Sequence, residues 1–157
     1  MYPIRTKIRG SAIHSSVTAT SRFQIAERVF RVAGVLLFVV AAIHLLVTPL
    51  FARFVAGAVP PGSWLVIGPP SLLNHVVVGI LLIPTGAAAL FVAPQLADRR
   101  ARRLAWVTAL SVAVLPVCLV LLMRGDAYTA AAFRTAEALV TLVGVILPAT
   151  LLWLPRT

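Results

Sequence analysis

The stretch Val29 to Phe51, VFRVAGVLLFVVAAIHLLVTPLF, is apolar almost without interruption and long enough to cross the hydrocarbon core of a bilayer. A helix needs about 20 such residues for that crossing, at a rise of about 1.5 Å each. Three further stretches have the same character: Leu72 to Ala93, Leu104 to Met123 and Ala131 to Leu154. The chain as a whole is 61% hydrophobic and 11% charged, too few charges to cover a soluble domain of 157 residues. Within lipid only helices and closed barrels satisfy their own backbone, and these runs lack the two-residue alternation of barrel strands. The expected fold is therefore all-α, a polytopic up-down bundle of four transmembrane helices over 29–51, 72–93, 104–123 and 131–154.

The basic residues read as a topology signal. Arg5, Lys7, Arg9, Arg22, Arg28 and Arg31 precede or open the first span, Arg99, Arg100, Arg102 and Arg103 separate the second from the third, and Arg156 follows the fourth. Only Arg53, Arg124 and Arg134 fall on the other side. The positive-inside rule then puts both termini in the cytoplasm, in an inner (plasma) membrane, with an organellar inner membrane as the secondary reading. A net charge of +10 distributed in this way points to anionic lipid headgroups on Arg99, Arg100, Arg102 and Arg103 and not to nucleic acid. Residues 1–28, with no acid before Glu27, are expected to form a basic, disordered cytoplasmic tail.

Residues 52–71 carry Pro60-Pro61-Gly62, Trp64 and Pro69-Pro70, and are expected to form an external interfacial loop with Ser71 as N-cap of the second helix. Pro84, Pro116 and Pro148 lie inside spans and should bend them. Cys118 is the single cysteine, so no disulfide within the chain and no CxxC motif can form.

In lipid, helices associate through small and polar residues, which should turn inward. Gly34, Leu37, Ala41, His44 and Thr48 make such a stripe on the first helix, and His75, Gly79, Leu82, Gly86 and Ala89 on the second. Thr108, Ser111, Leu115 and Cys118 follow on the third, and Glu137, Thr141, Gly144 and Pro148 on the fourth. Apart from arginines near the span ends, His44, His75 and Glu137 are the only strongly ionisable side chains within the spans, and helix rise puts them at one depth in the outer leaflet. Buried ionisable groups in membranes mark functional sites or helix–helix hydrogen bonds.

One reading of the pair His44 and His75 is axial ligation of a b-type haem. Another takes His44, His75 and Glu137 as ligands of a divalent metal or as a proton relay in a small transporter. The third, which we adopt as the principal expectation, is an accessory or interaction subunit with no recognisable catalytic activity, contacting a membrane protein partner or a second copy of itself. No Ser, His and Asp arrangement, phosphate-binding glycine loop or pair of carboxylates within the spans points to an enzyme.

Overall fold

The structure, a computed structural model, describes residues 9–60, 62–122 and 136–155. These residues form five helices: α1 (Arg9–Leu46), α2 (Thr48–Ala58), α3 (Trp64–Val92), α4 (Arg99–Leu122) and α5 (Ala136–Trp153). A single 3-10 turn, Ala93–Gln95, leads out of α3, and no strand occurs among the described residues. Three helical stretches are long and apolar enough to cross a membrane: Ala19–Leu46, Trp64–Gln95 and Arg99–Cys118. The expected fourth span, 131–154, is described only from Ala136, as an apolar helix of 18 residues.

The expectation of a disordered tail over 1–28 is corrected where the chain is described, because α1 is helical from Arg9. The stretch Ala19–Leu46 alone is 28 residues, or about 42 Å at 1.5 Å per residue, well beyond a hydrocarbon core of about 30 Å. Arg22, Arg28 and Arg31 lie on its N-terminal part, where a helix of this length extends past the apolar core. Arg31 reaches back one turn to Glu27 with an N–O distance of 2.7 Å. Helical pairing of this kind stabilises solvated helix by a few tenths of a kcal/mol.

The connection 52–71 also departs from a loop. Pro49 stands in the first turn of α2, where its missing N–H removes nothing from the helix. The α2 helix follows α1 after one non-helical residue, Val47, whose N–H still donates to the Ile43 carbonyl at 2.9 Å. Gly62 has φ +88°, a conformation only glycine adopts freely, in a turn closed by the Ser63 N–H on the Pro60 carbonyl at 3.0 Å. The α3 helix then starts at Trp64 and runs straight through Pro69 and Pro70. Gly68, lacking a Cβ, admits the indole of Trp64, since a Cβ there would stand 2.6 Å from a ring carbon. Ser71 is not an N-cap. Its hydroxyl donates to the Ile67 carbonyl at 2.7 Å, inside the helix.

The helices pack as two close pairs. In the first, Gly34 of α1 faces Gly86 of α3: a Cβ on Gly34 would lie 2.9 Å from the Gly86 carbonyl oxygen and 2.7 Å from Leu90 Cγ. Farther along, Gly79 sits against Leu45 and His44, so the two helices run in opposite senses. In the second pair Gly144 of α5 abuts the α4 backbone, where an added Cβ would be 3.1 Å from the Ala113 Cα. Phe30, Leu37 and Val40 from α1, Leu82, Ala89 and Val92 from α3, Ala105, Ala109 and Val112 from α4, and Leu147 and Leu151 from α5 make one shared core.

The inward stripes on α1 and α3 are as expected: Gly34, Leu37 and Ala41 are buried, as are Gly79, Leu82, Gly86 and Ala89. On α4 Thr108 is buried and Leu115 packs against the core as expected, but Ser111 and Cys118 are exposed, and the packed face is made largely by Ala101, Ala105, Ala109 and Val112. The Ser111 hydroxyl donates to the Val107 carbonyl of its own helix at 2.9 Å, so it needs no neighbour. Small size, not polarity, selects the packed face there.

We expect Gly34→Leu to lower the thermal unfolding midpoint of the detergent-purified protein markedly, by the roughly 1–3 kcal/mol typical of overpacking. Gly57→Ala meets no atom within 4 Å and should leave that midpoint unchanged or slightly raised.

Candidate functional site

The antiparallel register of α1 and α3 brings His44 and His75 together, as their shared depth in the sequence suggested. Their rings stack with centroids 4.0 Å apart and planes 19° from parallel. Phe51, from α2, stacks on His75 as well, at 4.3 Å and 13°. Two rings that close and that parallel to His75 would collide on one face, so the imidazole is sandwiched between His44 and Phe51. Phe51 lies three residues past Thr48, the next step of the α1 stripe, because the bonds from the Val47 N–H to the Ile43 carbonyl and from the Phe51 N–H to the Val47 carbonyl carry the helical phase across the junction.

The polar edge of the stack is also occupied. His75 Nε2 lies 2.9 Å from the main-chain carbonyl of His44, and since a carbonyl only accepts, Nε2 carries the proton and donates. The Thr48 hydroxyl donates to the same carbonyl at 3.1 Å. That oxygen stands in the last turn of α1, two residues before its end at Leu46, where a helix carbonyl needs outside donors. Histidine and threonine therefore close the helix break from two directions. The site's residues are partly buried, whereas Asn74, on α3 beside it, is exposed.

This arrangement does not fit axial ligation of a haem. Bis-imidazole ligation requires the two ligating nitrogens to address the iron from opposite sides of a macrocycle. Here the rings lie face to face at van der Waals separation, and His75 Nε2 is taken by a carbonyl. For the metal or proton set, Glu137 is in helix α5, but its side chain lies outside the described residues, as do Arg124, Asp126 and Arg134. Among the described residues no three His, Cys, Asp or Glu side chains come together as a metal site.

At the other end of α1 a second cluster forms around the basic run. Arg102 turns into the protein: Nε donates to the Leu96 carbonyl at 3.2 Å, Nη1 to the Pro155 carbonyl at 2.8 Å, and the guanidinium lies 5.4 Å from the centre of the Phe23 ring. It thus ties α1, the turn before α4 and the residues after α5 to one another. This corrects its expected place among the headgroup-facing arginines. Arg99, Arg100 and Arg103 are exposed. Arg22 stands 5.2 Å from the Trp153 ring centre, a further tie between α1 and α5.

Between α3 and α4 an apolar crevice of about 250 Å³ is lined by Val78, Leu81, Leu82, Thr85, Ser111 and Leu115. Its two hydroxyls are committed to carbonyls of their own helices, Thr85 to Leu81 at 2.8 Å and Ser111 to Val107.

The sequence matches no protein-family model, and comparison with curated proteins and with solved structures gives no significant match.

His75→Phe keeps the stack and removes the hydrogen bond, whereas His75→Ala removes both. We expect a loss of about 1 kcal/mol for the first and a larger one for the second, read from unfolding midpoints in detergent. Equal losses would show that stacking contributes nothing.

Proposed function

We propose that this chain is a small integral protein of the inner (plasma) membrane, an up-down bundle of four helices with both termini and the Arg99–Arg103 turn on the cytoplasmic face. Its role is that of an accessory subunit that packs against a membrane protein partner or a second copy of itself.

The observation that carries this reading is how the polar residues within the spans are used. Where described, they are bonded within the chain: His75 and Thr48 satisfy a helix-end carbonyl, and Ser71, Thr85, Thr108, Ser111 and Thr150 bond carbonyls of their own helices one turn back. The His75 bond joins two helices, and the others satisfy hydroxyls in a medium without water. The outer surface supports the same view, since large apolar side chains are exposed along every long helix. On α1 they form a stripe, Val32, Val35, Val39, Ile43 and Leu46, on the side away from Phe30, Leu37 and Ala41. Steps of three and four residues suit a neighbouring helix as well as lipid.

Two measurements test the proposal. Reporter fusions after Gly57 and after Ala97 should report opposite sides of the membrane, the second being cytoplasmic. The same side for both would remove the up-down topology. A photo-crosslinking residue at Val35 or Val39, activated in intact membranes, should give one discrete protein adduct, either a dimer of the chain or one partner of fixed mass. Adducts with lipid alone at both positions would reject the accessory role on this face.

A further inference from the structure

We propose that the exposed face of α4 is a binding site for an anionic phospholipid, with the phosphate held by Arg99, Arg100 and Arg103 and an acyl chain lying along Val107, Leu110 and Val114. The inference rests on the membrane reading above and gives that surface a specific ligand.

Helical geometry gathers the three cations. At 3.6 residues per turn Arg99, Arg103 and Arg100 fall within an arc of about 100°, and all three are exposed. The opposite side of the helix is the packed face of Ala101, Ala105, Thr108, Ala109 and Val112. Arg102, rotated toward that face, is withdrawn into contacts with Leu96, Pro155 and Phe23. The basic run is thus divided by its own helical phase into one structural arginine and three available ones.

The arc that carries the three arginines continues as an apolar stripe. Val107, Leu110, Val114 and Val117 are 61%, 53%, 54% and 56% exposed, and they lie on the same side as Arg99 and Arg103. From Arg103 to Val114 is about 16 Å along the axis, near half of a hydrocarbon core of about 30 Å and so about one leaflet. Cations at the head of a leaflet-long apolar stripe complement one amphiphile, a phosphate ester with acyl chains. Guanidinium groups bind phosphate oxygens through paired N–H donors, which sets them apart from point charges.

Two features specify an anionic lipid over a zwitterionic one. Asp98 is the one carboxylate in this run, and it caps α4, accepting the Ala101 N–H at 3.3 Å. The helix N-terminus is therefore already served by a carboxylate, which leaves the arginine side chains to bind the phosphate. Three guanidinium groups facing one headgroup are met better by a net negative charge than by a headgroup that brings its own cation.

The test uses the full chain in detergent micelles, titrated with phosphatidylglycerol or phosphatidylcholine of matched acyl chains, with bound lipid counted by native mass spectrometry. We expect phosphatidylglycerol to bind roughly tenfold or more tightly than phosphatidylcholine. The triple variant R99Q/R100Q/R103Q should lose this preference with an unchanged unfolding midpoint. R102Q should keep the preference and unfold at a lower temperature. Equal binding of both lipids, or a preference that survives the triple variant or disappears in R102Q alone, overturns the site. Displacement of the lipid by millimolar inorganic phosphate also overturns it, because the face would then be a plain anion patch. Alkaline carbonate extraction of membranes scores the underlying reading separately. A chain retained in the pellet without lipid preference refutes this site only, whereas a chain released into solution refutes the membrane reading too.

Discussion

Gly34 and Gly86 let the backbones of α1 and α3 meet, and the remaining geometry follows from that contact. Lipid tails are as apolar as leucine, so burial of apolar area does little to pull two helices together in a membrane. What remains is dispersion at close range and hydrogen bonding between helices, and both need the axes to approach. A side chain on Gly34 would run into a carbonyl oxygen at 2.9 Å and into Leu90, which leaves glycine as the residue that permits this spacing. Once the crossing point is fixed, the antiparallel register places Gly79 against Leu45 and His44, and His75 against the carbonyl of His44.

That register also explains the histidine pair without a cofactor. The end of α1 is interrupted before Pro49, and a carbonyl at such an end costs on the order of 1–3 kcal/mol if buried unpaired. His75 and Thr48 both donate to it, and Phe51 covers the ring that does so. The opposite end is secured by Arg102, whose guanidinium links α1, the turn before α4 and the chain after α5. A polar closure at each end and a small-residue core between them hold the two helix pairs together.

Much of this was legible in the sequence because it depends on period and length. Apolar runs, inward glycines on α1 and α3 and the common depth of His44 and His75 all follow from a rise of about 1.5 Å and a turn of 3.6 residues. Four features were hidden, each for a local reason. The helix continues through Pro69 and Pro70 in its second turn, whereas prolines read alone signal a break. Polar Ser111 satisfied itself within α4, so polarity mislabelled the packed face that Ala101, Ala105 and Ala109 form. Arg102 looked identical to its neighbours, and only the phase of α4 relative to its alanine face separates it. The Phe51 layer lay one step past the stripe read on α1, three residues beyond Thr48.

The central claim is that α1 and α3 form an antiparallel pair through the Gly34 and Gly86 contact. An added Cβ on Gly86 would stand 3.3 Å from Leu37 Cβ, close to the separation of about 3.5–4.5 Å found in disulfides. The most direct measurement is oxidative cross-linking in native membranes of the pair Leu37→Cys and Gly86→Cys, in a chain with Cys118→Ser. Val39→Cys with Gly86→Cys serves as the outward-facing control. We expect a rapid disulfide within one chain for the first pair and little for the second. Cross-linking of the control pair with none for Leu37 and Gly86 would contradict the register and the site built on it.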